Sequence, residues 1–418
     1  MPHVPREIDE LGCTPLSSSL PYLPLPRVEA ASLSYARFLR EFALPRQPCL
    51  ITGVGLDWPA ATRWASLEYF LHHAGVDSSH EVSVAVGREE REMTVGEALT
   101  LLCSREEEAT ARSGGGEATS RGHIEECTAK EARSPLYLSA WDYVRGNSAA
   151  LQEDFAVPPL FSRAPAWLEE HVVLGNSKTD LRWLYLGEEG SGSATHVDTN
   201  LSSAWLWVAR GEKEWVCAHG EDHELLTGGF LAGSDGEEHA LPDLFAPDLT
   251  RWPQLARCRL YRGTQRPGDV CFNPSRCVHA TRNLTLTISL THNFVDASNL
   301  PDVLEDATHS LRTDLLPMIA ALHPKKVLRT LVKTLRVDKE ALVRTLVELP
   351  SLLCPERMRT LVDAACQPEA DEASATEVRD LIEAHLASNL AKVREPFLRT
   401  ATDIREALGL ESPARAAT

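Results

Sequence analysis

The sequence predicts an α+β protein in which a β barrel or sandwich follows a flanking N-terminal region and precedes a helical one. Three observations lead there. From about residue 137 to residue 294, short apolar runs alternate with Gly, Pro and Asp turns, the texture of many short strands. After Pro301 the period changes to that of amphipathic helices. The chain has 418 residues, 43% of them hydrophobic, enough for one large domain with an appendage.

In chain order, the first thirty residues contain "PLSSSLPYLPLPR", which reads as an extended arm lying across a domain. "SLSYARFLREFALP" spaces Leu33, Phe38, Leu39 and Phe42 at helical intervals, and Pro45 stops the helix. "PCLITGV" follows as a buried strand. Between Ser104 and Ser134 nearly everything is charged or small, with Gly114, Gly115 and Gly116 at the centre, and this segment is expected to be a disordered insertion. The central strands are "DLRWLYLG", "SAWLWVA", "KEWVCAH", "DVCFNP", "CVHAT" and "LTLTISLTHNF". Five helices are expected beyond them, the last covering "EVRDLIEAHLASNLAKVREPFLRTATDIREAL". The expected organisation is a flanking region over 1–136, a β domain over 137–300 and a helical domain over 301–418.

Acidic residues outnumber basic ones by 60 to 42, and the net charge of −18 works against nonspecific attraction to nucleic acid or anionic lipid. No run approaches the length of a membrane span, and no apolar stretch follows a positive N-terminal cluster. An intracellular protein, nuclear or cytoplasmic, is therefore expected. The ten cysteines are scattered with no CxxC pair, so reduced thiols are the default, and Cys271 and Cys277 read as structural.

The chemistry-bearing pattern is His196-Val-Asp198. In a strand, residues two apart point the same way, so an imidazole and a carboxylate would stand side by side, a geometry that suits a shared cation. The triplet alone is equally a chance pair. "RPGDVCFNPSRCVHAT" supplies a third candidate, because turns at Pro267-Gly268-Asp269 and Pro274-Ser275 bracket short strands that would bring His279 back beside the pair. Two histidines and one carboxylate bind Fe(II) on one face of an octahedron and leave three positions open. A 2-oxo acid can take two of these and dioxygen the third. Zinc is the formal rival, but a three-ligand zinc site wants a general base nearby and these segments show none. If the oxo acid is 2-oxoglutarate, its far carboxylate needs a cation. The strand from Ser203 turns at Ala209 to Gly211 and returns with Lys213, one hairpin from the metal pair. The alternative for Lys213 is a solvated side chain in "RGEKEW".

Taken together, "SGSATHVDTNLSSAWLWVARGEKEW" and "PGDVCFNPSRCVHATRNLTLTISLTHNF" resemble the JmjC (Jumonji C) family of Fe(II)- and 2-oxoglutarate-dependent oxygenases. The resemblance covers roughly Tyr137 to Asn299, with a weaker echo in "FLREFALPRQPCLITG". Within the family it is nearest the small hydroxylase branch that includes the arginine demethylase/lysyl hydroxylase and the lysyl hydroxylase of the translation termination factor, with "SPLYLSAWDY" and "VPPLFSRAPAWL" adding to the likeness. The resemblance implies a double-stranded β-helix, a jelly-roll of the cupin kind. It implies that His196, Asp198 and His279 hold iron, that Lys213 pairs with the 2-oxoglutarate C5 carboxylate, and that the hydroxyls of Tyr137 and Thr291 assist. Ser193 matches a position that carries threonine in the arginine demethylase of that branch, so a hydroxyl is kept. Leu206 stands where the arginine demethylase of that branch has an asparagine beside the co-substrate, which removes one polar contact. Independently, Thr287, Ser289, Thr291 and Asn293 alternate with Leu286, Ile288 and Leu290, giving a polar face to a barrel interior.

Other residues have plainer readings. Trp205, Trp207 and Trp215 are expected to pack rather than form a substrate cage, as are Trp141, Trp167 and Trp183. His292 is expected to be structural, and His219, His223 and His239 to be solvent-exposed. The basic run Lys325, Lys326, Arg329, Lys333, Arg336, Lys339 and Arg344 reads as a solvated helix face, with a docking surface for an acidic partner or RNA as the second reading. The helices after Pro301 are expected to cover the barrel or to form a homodimer interface. The functional expectation is hydroxylation of a lysyl or arginyl side chain on a protein substrate, with dioxygen as co-substrate and succinate and carbon dioxide released. N-methyl demethylation and a catalytically silent scaffold are the alternatives.

Overall fold

Strand pairing builds two sheets whose inner faces interlock. The computed structural model describes residues 22–410 apart from 74, 88, 114–133, 144–148, 169–170, 172–180, 229–240, 336–338, 368 and 370. Its strands are β1 (Leu23–Pro24), β2 (Arg27–Glu29), β3 (Cys49–Thr52), β4 (Glu81–Val86), β5 (Glu89–Thr94), β6 (Leu136–Trp141), β7 (Arg182–Gly187), β8 (Ser203–Arg210), β9 (Lys213–Ala218), β10 (Leu260–Gln265), β11 (Val270–Asn273), β12 (His279–Asn283) and β13 (Thr287–Phe294). One sheet has the order β1-β10-β9-β12 and the other β2-β3-β11-β8-β13-β7-β6-β4-β5. Leu50, Leu206, Val208 and Cys271 from the larger sheet meet Trp215, Cys217 and Tyr261 from the smaller in one buried cluster. This is a double-stranded β-helix with flanking helices. The division expected near residue 137 falls inside the larger sheet, since β2 to β5 belong to it.

Each central strand divides its side chains by the period of two. On β8, Ala204, Leu206 and Val208 point between the sheets. Trp205 and Trp207 point outward into the main core and are fully buried there, as packing residues. The Trp207 ring lies 5.0 Å from Trp58 and that of Trp205 5.8 Å from Phe161. Gly211 turns β8 into β9 with φ of 81°, a conformation that needs no Cβ.

The N-terminal helix starts at Tyr35, where the Ser34 hydroxyl accepts from the Arg37 N–H at 3.2 Å, and it widens to π-helical turns over Leu39–Ala43. The arm is extended where it is described, with β1 alongside β10 and β2 alongside β3. The expected insertion differs in part. Ser104 to Ser113 continue the helix Val95–Ser113, anchored by buried Leu102 and by ion pairs of Arg105 with Glu188 and Glu106 with Arg210. Charge alone hid these tertiary anchors. The glycine-rich remainder, 114–133, lies outside the described residues, as does the arm before Tyr22.

Beyond β13, helices Leu300–Ser310, Leu316–Ala321, Pro324–Leu335, Lys339–Glu348, Pro355–Cys366 and Glu372–Ala407 follow. The last is capped by Asp371, whose carboxylate accepts from the Ser374 N–H at 2.9 Å. Its Val378, Ile382, Leu386, Leu390 and Phe397 recur at helical spacing and are buried in the same core as Phe38, Phe161 and Phe272. Asp302 ties the join, accepting from Arg46 Nε at 2.8 Å and from Arg276 Nε at 2.7 Å. The helical region therefore covers the β-helix. Lys325, Lys326, Arg329, Lys333, Lys339 and Arg344 are exposed, as a solvated face requires, and Arg336 lies outside the described residues. Among the described residues no helix is long and apolar enough to cross a membrane.

Candidate active site

Two neighbouring strands set the geometry. β9 and β12 run antiparallel with Cys217 opposite His279, Trp215 opposite Thr281 and Lys213 opposite Asn283. Alternation puts all six side chains on the inner face. Their neighbours face outward: Glu214 bridges Arg262 and Arg282, while Val216, Ala218 and Ala280 join a separate apolar cluster. One inner face thus carries a histidine near one end and a lysine near the other, roughly 13 Å apart at about 3.3 Å per residue.

His196 is bound to His279 backbone to backbone. Each donates its N–H to the other's carbonyl at 2.9 Å, and the two rings lie 4.2 Å apart. Gly192 permits this approach, because a Cβ there would sit 2.1 Å from the Thr281 carbonyl oxygen. Asp198 follows in extended backbone, φ −63° and ψ 144°, before the turn Thr199–Leu201. One ligand atom from each of His196, Asp198 and His279 lies within 4.8 Å of the others. The three residues picked from separate parts of the sequence therefore converge.

The ring nitrogens are sorted by backbone carbonyls. His196 Nδ1 is 2.8 Å from the Ala194 oxygen and His279 Nδ1 is 3.0 Å from the Cys277 oxygen. A proton on each Nδ1 donates to that carbonyl and leaves both Nε2 lone pairs for the centre. Burial, then the adjacent His279 ring, push the pKa of His196 down to about 4 against the pull of Asp198, so its imidazole is neutral at physiological pH. Trp215 stacks on the His279 ring at 5.6 Å and fixes its plane. Two imidazoles and a carboxylate are the donor set of ferrous sites that keep positions open, and the residues present fit such an ion. Asn273 adds a second sign: its Oδ1 is buried with no donor.

Lys213 is fully buried, and its Nζ donates to Asn283 Oδ1 at 2.7 Å. Asn283 is in turn held by donating to Ser191 Oγ at 2.9 Å. No described carboxylate pairs with this lysine, and burial pulls its pKa down to about 7. The solvated alternative is excluded. The lysine Nζ lies 5.6 Å from the ring centroid of Tyr137, a residue that lines the cavity. The cavity itself is lined by the triad together with Tyr137, Ser193, Leu206, Thr291 and Asn293. The Tyr137 hydroxyl lies 3.4 Å from Ser193 Oγ, and its pKa is pushed up to about 12 by burial. Thr291 Oγ1 donates to the Trp205 carbonyl at 3.2 Å, and Asn293 Nδ2 to Ser202 Oγ at 3.1 Å.

Sequence reasoning missed four lining or supporting residues. Thr281 and Asn283 follow from His279 by the strand period and were there to be found. Tyr185, whose ring is 5.9 Å from Tyr137, sits opposite Ser289 on β7. Asn273 gave no signal, since its partner Asp198 is distant in sequence. Two expectations fail: His219 and His223 are buried, because the short turns after β9 fold them inward. His219 caps the turn Gly220–Asp222 by accepting from the Glu221 N–H, and His223 Nδ1 lies 3.0 Å from the Arg276 carbonyl. His239 lies outside the described residues.

Comparison with known proteins agrees with this architecture. Residues 35–299 match the cupin-like domain family. The chain is 29% identical over 283 residues to arginine-specific demethylase JMJ22 of Arabidopsis thaliana, covering 65% of this chain and 47% of that protein. It is 30% identical over 286 residues to 2-oxoglutarate and iron-dependent oxygenase JMJD4 of Homo sapiens, covering 66% and 62%. It is 25% identical over 298 residues to bifunctional arginine demethylase and lysyl-hydroxylase psr-1 of Caenorhabditis briggsae, covering 66% and 63%. The chain thus spans less than two thirds of each of these relatives. It belongs to the cupin-like domain family, in the JmjC branch.

Proposed function

We propose that this cupin-like protein is an Fe(II)- and 2-oxoglutarate-dependent oxygenase that hydroxylates a lysyl or arginyl side chain of a protein, using dioxygen and releasing succinate and carbon dioxide. The observation that carries the reading is the shared inner face of β9 and β12, with the His196, Asp198 and His279 cluster near one end and, at the other, a buried lysine that has no carboxylate partner among the described residues. Iron with the bound oxo acid and dioxygen supplies the oxidising power to place one oxygen atom in a C–H bond.

The chain's own residues do the rest. The two imidazoles and Asp198 offer three ligands on one side and leave the cavity side open. Lys213 gives the far carboxylate of 2-oxoglutarate its counter-charge, and that pairing also relieves the cost of burying an ammonium alone. Tyr137, Thr281 and Thr291 line the cavity with hydroxyls, and Ser193 meets the Tyr137 hydroxyl with its Oγ and the Thr281 hydroxyl with its backbone N–H. Leu206, whose backbone lies opposite Thr291, presents an apolar wall that keeps water from the cavity.

A protein substrate is favoured by the named activities of psr-1, a relative at 25% identity. A second reading, removal of a methyl group from arginine or lysine by the same hydroxylation with loss of formaldehyde, is favoured by the name of JMJ22. Purified protein with Fe(II) is expected to convert 2-oxoglutarate to succinate, and His196→Ala to abolish this; full turnover by that variant overturns the reading. Mass spectrometry of a modified peptide separates the two activities, by gain of one oxygen or loss of a methylene.

A further inference from the structure

β11 ends in an asparagine where the fold alone calls for an apolar residue. Val270 and Phe272 face the main core and Cys271 the barrel interior, so Asn273 also points inward and is only 2% exposed. A carboxamide in that position is costly unless each of its polar atoms is satisfied. Its Nδ2 donates to Asp198 Oδ2 at 2.5 Å and lies 3.1 Å from His279 Nδ1. Turning the amide over would set its oxygen against the Asp198 carboxylate, so Asp198 fixes the orientation. That leaves Oδ1, which is buried, without a donor, and part of a residue lining the cavity.

We propose that Asn273 is a positioning residue for the metal centre: it holds Asp198 by Oδ2 so that the carboxylate offers a single oxygen to the ion, and its own Oδ1 accepts a hydrogen bond from a water or hydroxyl held in the cavity. The inference rests on the metal-binding reading above. It assigns a role to a residue of β11 that holds the carboxylate of Asp198 by a hydrogen bond and lies beside the His279 ring of β12. Partners that orient metal ligands in this way are typically worth about 10–100-fold in metal affinity.

The test is Mn(II) binding, followed by the loss of the free-ion electron paramagnetic resonance signal, in the unaltered protein, Asn273→Leu and Asn273→Thr. The leucine keeps the shape and removes the hydrogen bond to Asp198 together with the free Oδ1; the threonine is smaller but restores one donor. Asn273→Leu is expected to bind about 10–100-fold more weakly, and Asn273→Thr to recover part of the loss despite the void it leaves. A folded Asn273→Leu that binds as the unaltered protein does overturns the proposal, as does a folded Asn273→Thr that binds no better than Asn273→Leu. If the leucine variant does not fold, the crystal structure of the unaltered Mn(II)-loaded protein decides. Asp198 ligating through one oxygen, with a donor on Asn273 Oδ1, supports the proposal, whereas bidentate Asp198 or an Oδ1 still without a donor overturns it. An unaltered protein that binds no Mn(II) at all overturns the metal-site reading and this inference with it.

Discussion

Lys213 is where a single residue says most about the site. A buried ammonium that donates to an amide oxygen and has no carboxylate partner among the described residues is unfavourable, and burial has brought its pKa from the ordinary 10.5 to about 7. Between those two values the unfolded chain keeps a proton that the folded chain has released, so the ligand-free protein gains stability as pH rises from about 7 to 10.5. A carboxylate arriving beside Lys213 restores the charge. At pH 8, binding of 2-oxoglutarate is therefore expected to take up about one proton, read by calorimetry in buffers of different ionisation enthalpy. No dependence of the heat on the buffer would mean that Lys213 does not meet the ligand. His196, Asp198, His279 and Lys213 were legible in the sequence through the resemblance to the JmjC pattern, since the residues alone left a chance pair and a solvated lysine open, and His196 proves to sit in an isolated bridge rather than a strand. Asn273 was not, because nothing local marks a residue whose partners come from two other segments.

At the level of elements, the site depends on close contact between the segment Ser191–His196 and β12. Thr281 N–H donates to the Ser193 carbonyl at 3.0 Å and Asn283 N–H to the Ser191 carbonyl at 2.7 Å. Gly192 lies between these bonds, and an added methyl group would meet backbone, which cannot turn aside as a side chain can. Gly192→Ala is expected to cost about 1–3 kcal/mol in denaturant unfolding and to weaken Mn(II) binding by moving His196. Unchanged stability and binding would contradict the contact. The apolar strands β3, β7, β8, β9, β11 and β13 were readable from alternation and from the turns between them. β5, with four exposed residues in "EEREMT", and β10, in "RLYRGTQ", carry too little apolar pattern to be read, and pairing with β4 and β9 makes them strands. Similarly, the charged turns of the helix Val95–Ser113 owe their order to ion pairs with distant residues.

For the whole molecule, the C-terminal helices complete the core. Leu361, Val378, Ile382 and Phe397 share one buried cluster with Phe38 and Phe272, and Arg46 and Arg276 clasp Asp302 at the junction. A chain ending at Asn299 is therefore expected to lose cooperative thermal unfolding and to expose apolar surface; a truncated chain melting as the full one does would contradict this. The sequence showed the change from strands to helices at Pro301 but not that the helices seal the β-helix, because amphipathic periodicity reveals that a face is buried and not what buries it.

The central claim is that one cavity holds a metal through three residues and a dicarboxylic acid through a lysine from a neighbouring strand. Anaerobic titration with Fe(II) and then 2-oxoglutarate tests it most directly. One equivalent of each is expected to bind per chain, His196→Ala losing the metal and Lys213→Met keeping the metal while losing the acid. Unchanged Fe(II) binding by His196→Ala, or unchanged 2-oxoglutarate binding by Lys213→Met, would contradict the account.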